Sequence, residues 1–213
     1  GQLMFTPRDI TRTDLVRDDR PYAGWLYGSA AFHSKTYRRL DTFELQLGFT
    51  GPWSLAHEAQ DLVHDIRGID TARGWRNQID TELGVVLTYD RRLRVLPRRN
   101  FFEKWGVDAI AHGGGAVGTV FDHLNAGLEG RLGWNLPSDF GTGIIRPAGE
   151  VNMPTDTQDP RFQGEDGGMS AYVSAAVGGR WVLRDIFLDG NTFEHSHSVD
   201  KKPVVGEVML GAS

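Results

Sequence analysis

The sequence predicts an all-β protein, an antiparallel up-and-down β-barrel with one helix inserted in a loop. Apolar and polar residues alternate in segment after segment, which is the pattern of strands with one apolar and one polar face. Turn-rich segments such as SKTYRR and PRRN separate these strands. About eight strands follow one another in this way, an arrangement typical of a barrel or a sandwich.

The strands are expected at residues 1–7, 22–33, 40–49, 82–90, 107–119, 128–136, 169–182 and 204–210. In the third strand, the residues predicted to share the apolar face are Phe43, Leu45, Leu47 and Phe49. The polar face of the same strand carries Thr42, Glu44 and Gln46. In the sixth strand, the predicted apolar set is Leu128, Leu132, Trp134 and Leu136.

The alternation leaves open which face of the barrel is in water. In a soluble barrel the apolar face forms the interior, whereas in an outer-membrane barrel it faces lipid and the polar face lines the lumen. Charged residues at strand centres favour the membrane barrel: Glu44, Glu82, Asp90, Glu129 and Arg131. Aromatic residues near strand ends would then form interfacial girdles, namely Trp25, Tyr27, Tyr89 and Trp134. A soluble β-barrel that binds an apolar ligand is the alternative.

Composition excludes several classes of function. The 213 residues carry 23 basic and 28 acidic side chains, a net charge of -5, and no basic tract, so no nucleic-acid partner is expected. The absence of cysteine excludes a disulfide scaffold and thiolate metal sites. The chain opens on Gly1 within a predicted strand and has no initiator Met, so we expect a fragment of a longer protein.

The segment WSLAHEAQDLVHDIRG differs from its surroundings and predicts a helix over residues 53–67. Ser54 is the predicted N-cap, and Gly68 ends the helix. An apolar stripe is expected to lie against the barrel wall or to cover its mouth: Leu55, Ala59, Leu62 and Ile66.

Two polar residues of this helix, Gln60 and His64, lie one turn apart on a neighbouring face. An imidazole suits a general base because its unperturbed pKa is about 6.5, and a neighbouring amide can hold the ring or a water molecule. The alternative is a solvated helix face, to which His57 is assigned. His112 is expected to be a hydrogen-bonded structural histidine. The segment 184–203 is expected to be a tight loop, because it lacks the spacing of a calcium-binding EF-hand.

Several long motifs together resemble the lipid A 3-O-deacylase family of Gram-negative outer membranes. They are TPRDI, DDRPYAGWLY, LDTFELQLGFTGP, QDLVHDIRG, GWRNQ, NAGLEGRLGWNLPSDFG and RDIFLDGNTFEHSHSVDKKP, and they run in order from Thr6 to near the end of the chain. The resemblance implies a monomeric outer-membrane barrel of about twelve strands, of which residues 1–213 hold about eight in a single domain truncated at both ends. It also implies hydrolysis of the 3′ ester of lipid A, in lipopolysaccharide, with Ca²⁺ as cofactor.

On this resemblance His64 corresponds to the family's general base, with Gln60 beside it and Asp70 as a supporting carboxylate and metal ligand. The main calcium ligands are expected upstream of Gly1. A count of strands puts the helix, the turn predicted at 121–125 and the loop 184–203 outside the cell, and residues 137–168 in the periplasm. An inactive or structural barrel of the same family is the second interpretation.

Overall fold

A computed structural model describes residues 1–141 and 169–213, so most of the segment 137–168, which is predicted to lie in the periplasm, is outside these ranges. Eight strands form one antiparallel curled sheet in which each strand pairs with the next along the chain. The strands are β1 (Gln2–Phe5), β2 (Ala23–Lys35), β3 (Arg39–Thr50), β4 (Leu83–Phe102), β5 (Trp105–Gly118), β6 (Phe121–Trp134), β7 (Ala171–Asp185) and β8 (Val204–Ala212). Helix α1 spans Ala56–Arg67, and the short helix α2 spans Ile186–Asp189. Neither helix in the described ranges is long and apolar enough to cross a membrane.

The sheet has an apolar outer face and a charged inner face. Phe43, Leu45, Leu47 and Phe49 of β3 are exposed, whereas Thr42, Glu44 and Gln46 between them are buried. The neighbouring strands continue this pattern, with exposed Leu87 and Leu128 and buried Asp90 and Glu129. The predicted faces of the strands are therefore confirmed, and the charges at strand centres line the interior. This arrangement is the reverse of a soluble barrel and is that of a barrel surrounded by lipid.

The aromatic residues Trp25 and Tyr27 do not belong to an outer girdle, so that prediction is wrong for them. Both are buried inside the sheet, where their rings stack at 4.2 Å. They belong to an apolar core that fills the lumen near one end, together with Ala23, Ile79, Val86, Ala116, Val120, Ile186 and Phe187. At this end of the sheet inward-facing residues can be apolar, because protein and not water covers the inner face.

Three further predictions about the strands are wrong in detail. The segment 121–125 is the start of β6 and not a turn. The PRRN segment lies within β4, where the pairing with β5 shifts register between Leu96 and Arg99, and such irregularities accommodate proline. Leu136 is buried and not on the outer face, because the chain leaves β6 after Trp134 through Asn135, whose φ is 54°.

Residues 136–141 turn into the lumen at the end of the sheet opposite helix α1. Phe140 packs on Leu40 and Ile110 inside the sheet. Arg131 donates to both carboxylate oxygens of Asp108, at 2.9 and 2.6 Å, and to Asp139 at 2.5 Å. Arg94 joins the same network through Asp108. Paired and hydrogen-bonded charges of this kind can remain buried, and they fix the segment across the lumen.

At the other end of the sheet three connecting segments, residues 6–22, 51–82 and 186–203, contact one another and form what we call the loop cap. The side chains of Arg76 and Asn77 both donate to the carbonyl of Thr13 at 3.0 Å, which joins the first two segments. The side chain of Asn191 both accepts from and donates to the backbone of Asp80, at 2.8 and 3.0 Å, which joins the third. Helix α1 is part of this cap.

Candidate functional site

Helix α1 begins against the outer face of the sheet, beside Gly24 of β2. A Cβ atom at Gly24 would lie 2.1 Å from Ser54 Oγ and 2.4 Å from Ala56 Cβ, so only glycine allows this approach. Gln2 of β1 donates to the carbonyl of Ser54 at 2.6 Å. Gly24 alternates with the inward-facing Ala23 and Trp25, which places the start of the helix outside the lumen. The contact with the barrel wall is therefore made by the small residues Ser54 and Ala56.

The helix starts three residues later than predicted, at Ala56. Ser54 is not its N-cap, because it ends a preceding 3₁₀ turn over Gly51–Ser54 and donates to the carbonyl of Gly51 at 2.6 Å. The residue before the helix is Leu55, in the left-handed region with φ 55°. The predicted end at Gly68 is confirmed, since this glycine has φ 64° and its N–H bonds to the last turn.

The apolar stripe of the helix faces away from the protein, which corrects the expected orientation. Leu55, Leu62 and Ile66 are 52%, 61% and 76% exposed. Ala56 is buried instead, and Gln60 and His64 follow it at successive turns on the partly buried side of the helix. The small and polar side of α1 is therefore the side that faces the protein.

The His64 ring is held by the backbone that follows the helix. Its Nδ1 atom lies 2.5 Å from the carbonyl oxygen of Asp70, and the N–H of Ile69 donates to the His64 carbonyl at 3.0 Å. A carbonyl oxygen only accepts hydrogen bonds, so Nδ1 carries the proton and donates. The neutral ring then has its lone pair on Nε2. Asp70 thus contributes its main-chain oxygen to the histidine, while its own side chain is exposed.

Gln60 is fixed by Trp75, whose indole Nε1 donates to Gln60 Oε1 at 2.7 Å. Trp75 is buried in a small apolar cluster with Tyr22, Ala56 and Ala72. The Trp75 ring contacts Tyr22 at 5.0 Å, and burial raises the pKa of the Tyr22 hydroxyl. No pattern in the sequence predicts that Trp75 bonds to Gln60.

Two other histidines, His57 and His197, are engaged in structural contacts. His57 Nε2 pairs with Asp61 at 3.0 Å, one turn along the same helix, as expected of a surface position. His197 Nε2 lies 2.8 Å from the carbonyl of Asp19 and joins two segments of the loop cap. The helix therefore holds two differently bonded histidines, and His64 is the one bonded to the loop backbone.

Glu82 is a functional candidate that the sequence assigned only to a strand centre. Its carboxylate accepts from the backbone N–H groups of Thr192 and Phe193 at 2.9 and 2.8 Å. This contact fixes the third segment of the cap onto the segment that carries α1. The alternation predicts that Glu82 faces inward, but the residue lies directly before β4 and not at a strand centre. Its partner Thr192 is 110 residues away, and one sequence shows no such pairing.

The segment 184–203 is a hydrogen-bonded loop, as expected. Asp185 accepts from the N–H of Phe187 at 3.0 Å and thereby caps α2. Asp189 binds Lys201 through both carboxylate oxygens, at 2.6 and 2.7 Å. These carboxylates are already engaged in holding the loop.

The side chains of residues 1–141 and 169–213 do not form a calcium site. No three histidine, aspartate or glutamate side chains in these ranges come together as a metal site. Calcium takes six to eight oxygen ligands, and beside His64 the Asp70 carbonyl and the Gln60 amide oxygen are already hydrogen-bonded within the protein. The described residues therefore do not fit a calcium ion by themselves.

An apolar outer face, a charged lumen and a loop cap at one end define the protein as an integral β-barrel of the outer membrane. The model of the family described as "Outer membrane protein LpxR" matches residues 1–213, and the chain belongs to this family. The solved structure of LpxR from Salmonella typhimurium is similar over 99% of this chain and 69% of that chain, with 21% identity and a TM-score of 0.77. This likeness shows a shared barrel fold. No curated protein matches the chain.

Proposed function

We propose that the protein is an ester hydrolase that removes the 3′-linked acyloxyacyl group of lipid A, with His64 as general base. Membership of the LpxR family supports a lipid A deacylase at the level of the reaction class. The observation that carries the assignment to His64 is its 2.5 Å contact with the Asp70 carbonyl, on a helix that starts on the outer face of the barrel. A substrate that resides in the outer leaflet can reach this face without entering the lumen.

In the proposed reaction a water molecule attacks the carbonyl carbon of the ester. His64 Nε2 takes the proton of that water, while Nδ1 remains bonded to the Asp70 carbonyl and stabilises the resulting imidazolium. The tetrahedral intermediate then collapses, and the bond between the carbonyl carbon and the 3′ oxygen breaks. The imidazolium returns its proton to that oxygen, which yields a free acid and a 3′ hydroxyl group.

Gln60 is proposed to orient the ester or the water. Because Trp75 occupies its Oε1 atom, the amide group is fixed with its N–H donors as the groups left to interact with substrate. Such donors stabilise the charge that develops on the carbonyl oxygen of an ester. One helical turn separates Gln60 from His64, so both side chains can reach one ester.

Calcium dependence remains a proposal that rests on the family resemblance. A calcium ion would polarise the ester carbonyl, but no step is assigned to it because the described residues do not form its ligand set. Asp70, with its exposed side chain, is the proposed metal ligand. Loss of activity on chelation, and its recovery on adding Ca²⁺, would support this assignment.

The test of the reaction is the mass spectrum of lipid A from cells that carry the protein in their outer membranes, compared with cells that lack it. We expect loss of the 3′ acyloxyacyl group. An unchanged spectrum, with the protein folded in the membrane, would contradict the proposal and favour the structural family member. A structural role as an open pore has no support, because residues 136–141 cross the lumen.

A further inference from the structure

The exposed side of α1 and the residues directly before and after it form an apolar surface, which extends the predicted apolar stripe and which we call the stripe. Its members are Trp53, Leu55, Leu62, Val63, Ile66 and Ile69, each about half exposed or more. Scattered apolar residues are common on protein surfaces, but six exposed apolar residues on one helix and its two flanks indicate a partner. Nothing in the described residues covers it.

The stripe is continuous with the lipid-facing band of the barrel. Phe49 is the last exposed apolar residue of β3, and its ring meets that of Trp53 edge-on at 5.2 Å. Leu26, the exposed residue that pairs with Phe49 on β2, extends the same band. The lipid-facing surface therefore passes from the strands onto the helix without a polar break.

The remaining sides of the helix fit a position at the surface of a bilayer. Glu58 and Asp65 are exposed and charged, and they lie between the stripe and the partly buried side that holds Gln60 and His64. A helix with one apolar side and one charged side lies in the interfacial plane of a membrane.

We propose that helix α1 is immersed by its stripe in the hydrocarbon of the outer leaflet, so that His64 meets an acyl ester at the depth where that ester lies. The immersion itself needs only the outer-membrane location. Its consequence for the reaction rests on the proposed function. The partner is the acyl chains of the lipids.

The absence of cysteine makes the test direct, since single-cysteine variants can each carry one nitroxide spin label. Labels at Ile66→Cys and Leu62→Cys in proteoliposomes should collide with oxygen more often than with a water-soluble nickel complex. A label at the matched position Asp65→Cys should show the opposite order. Greater access of the nickel complex at all three sites would overturn the proposal. So would dipolar broadening between labels, which would mean that a second copy covers the stripe.

An activity measurement then tests the consequence. Ile66→Glu should lower the rate of deacylation about tenfold in bilayers and leave the rate on detergent-dispersed lipid A nearly unchanged, because a charge on the lipid-facing side disfavours immersion. Glu58→Gln should match the wild type in both. Equal loss in bilayers and detergent would contradict a role of immersion in catalysis. If the wild type itself is inactive, the spin-label result still decides the placement of the helix.

Discussion

The start of helix α1 is held on the barrel by the lack of a side chain at Gly24, and Gly24→Ala tests this. The added Cβ would lie 2.4 Å from Ala56 Cβ, whereas carbon atoms in contact are about 3.5 Å apart, so the helix must move by about 1 Å. Overpacking of this kind costs about 1–3 kcal/mol. A displacement of about 1 Å at a catalytic group lowers the rate by about 100-fold. We therefore expect a folded barrel with strongly reduced deacylase activity.

Gly28→Ala is the matched control, because Gly28 lies four residues along the same strand and a Cβ there would meet nothing within 4 Å. Both variants are reconstituted in proteoliposomes, and the release of the 3′ acyl group is measured beside the heat-modifiable gel band that reports barrel folding. Gly28→Ala should match the wild type. Equal activity of the two variants would refute the claim that the contact at Gly24 positions the helix.

Three further predictions concern the loop cap. Trp75→Phe keeps the ring in its apolar cluster but removes the donor to Gln60, so the rate should fall about tenfold with little change in barrel stability; an unchanged rate would contradict the role of Gln60. Glu82→Gln weakens the acceptor of two backbone N–H groups, so proteolysis within residues 186–203 should become faster. Equal cleavage rates in the variant and the wild type would contradict the claim that Glu82 holds this segment. The backbone N–H of Arg8 donates to the Asp19 carboxylate and lowers its pKa. The carboxylate therefore stabilises its loop above the ordinary aspartate pKa, and this stabilisation is lost as the pH falls towards the lowered pKa. Hydrogen exchange at the Arg8 amide should accelerate below about pH 4 in the wild type, but not in Asp19→Asn.

The sequence predicts the barrel well because each lipid-facing strand repeats a period of two. Phe43 and Glu44 fall on the expected faces since the outer face contacts lipid and the inner face contacts the lumen. The prediction fails for Trp25 because the lumen beneath the loop cap is filled by an apolar core, so an apolar residue can face inward there. Periodicity identifies faces but does not say what covers each one.

The same limit of periodicity explains why the orientation of helix α1 is predicted wrongly. The spacing of Leu62 and Ile66 predicts an apolar side, but that side faces outward, because the wall contact uses the small residues Gly24 and Ala56. The family resemblance identifies His64, whereas its partner, the Asp70 carbonyl, is a backbone group that no sequence pattern reveals. Contacts that join distant segments, such as Glu82 with residues 192–193, also require the fold.

The most direct test of the account is the rate at which the purified protein, in outer-membrane lipid, releases the 3′ acyl group after His64→Ala. Loss of a general base lowers a rate by about 100- to 10,000-fold, and we expect a loss in this range. His57→Ala, which alters the neighbouring histidine of the same helix, should retain nearly the wild-type rate. Wild-type activity in His64→Ala, or an equal loss in both variants, would contradict the assignment of His64 as the base.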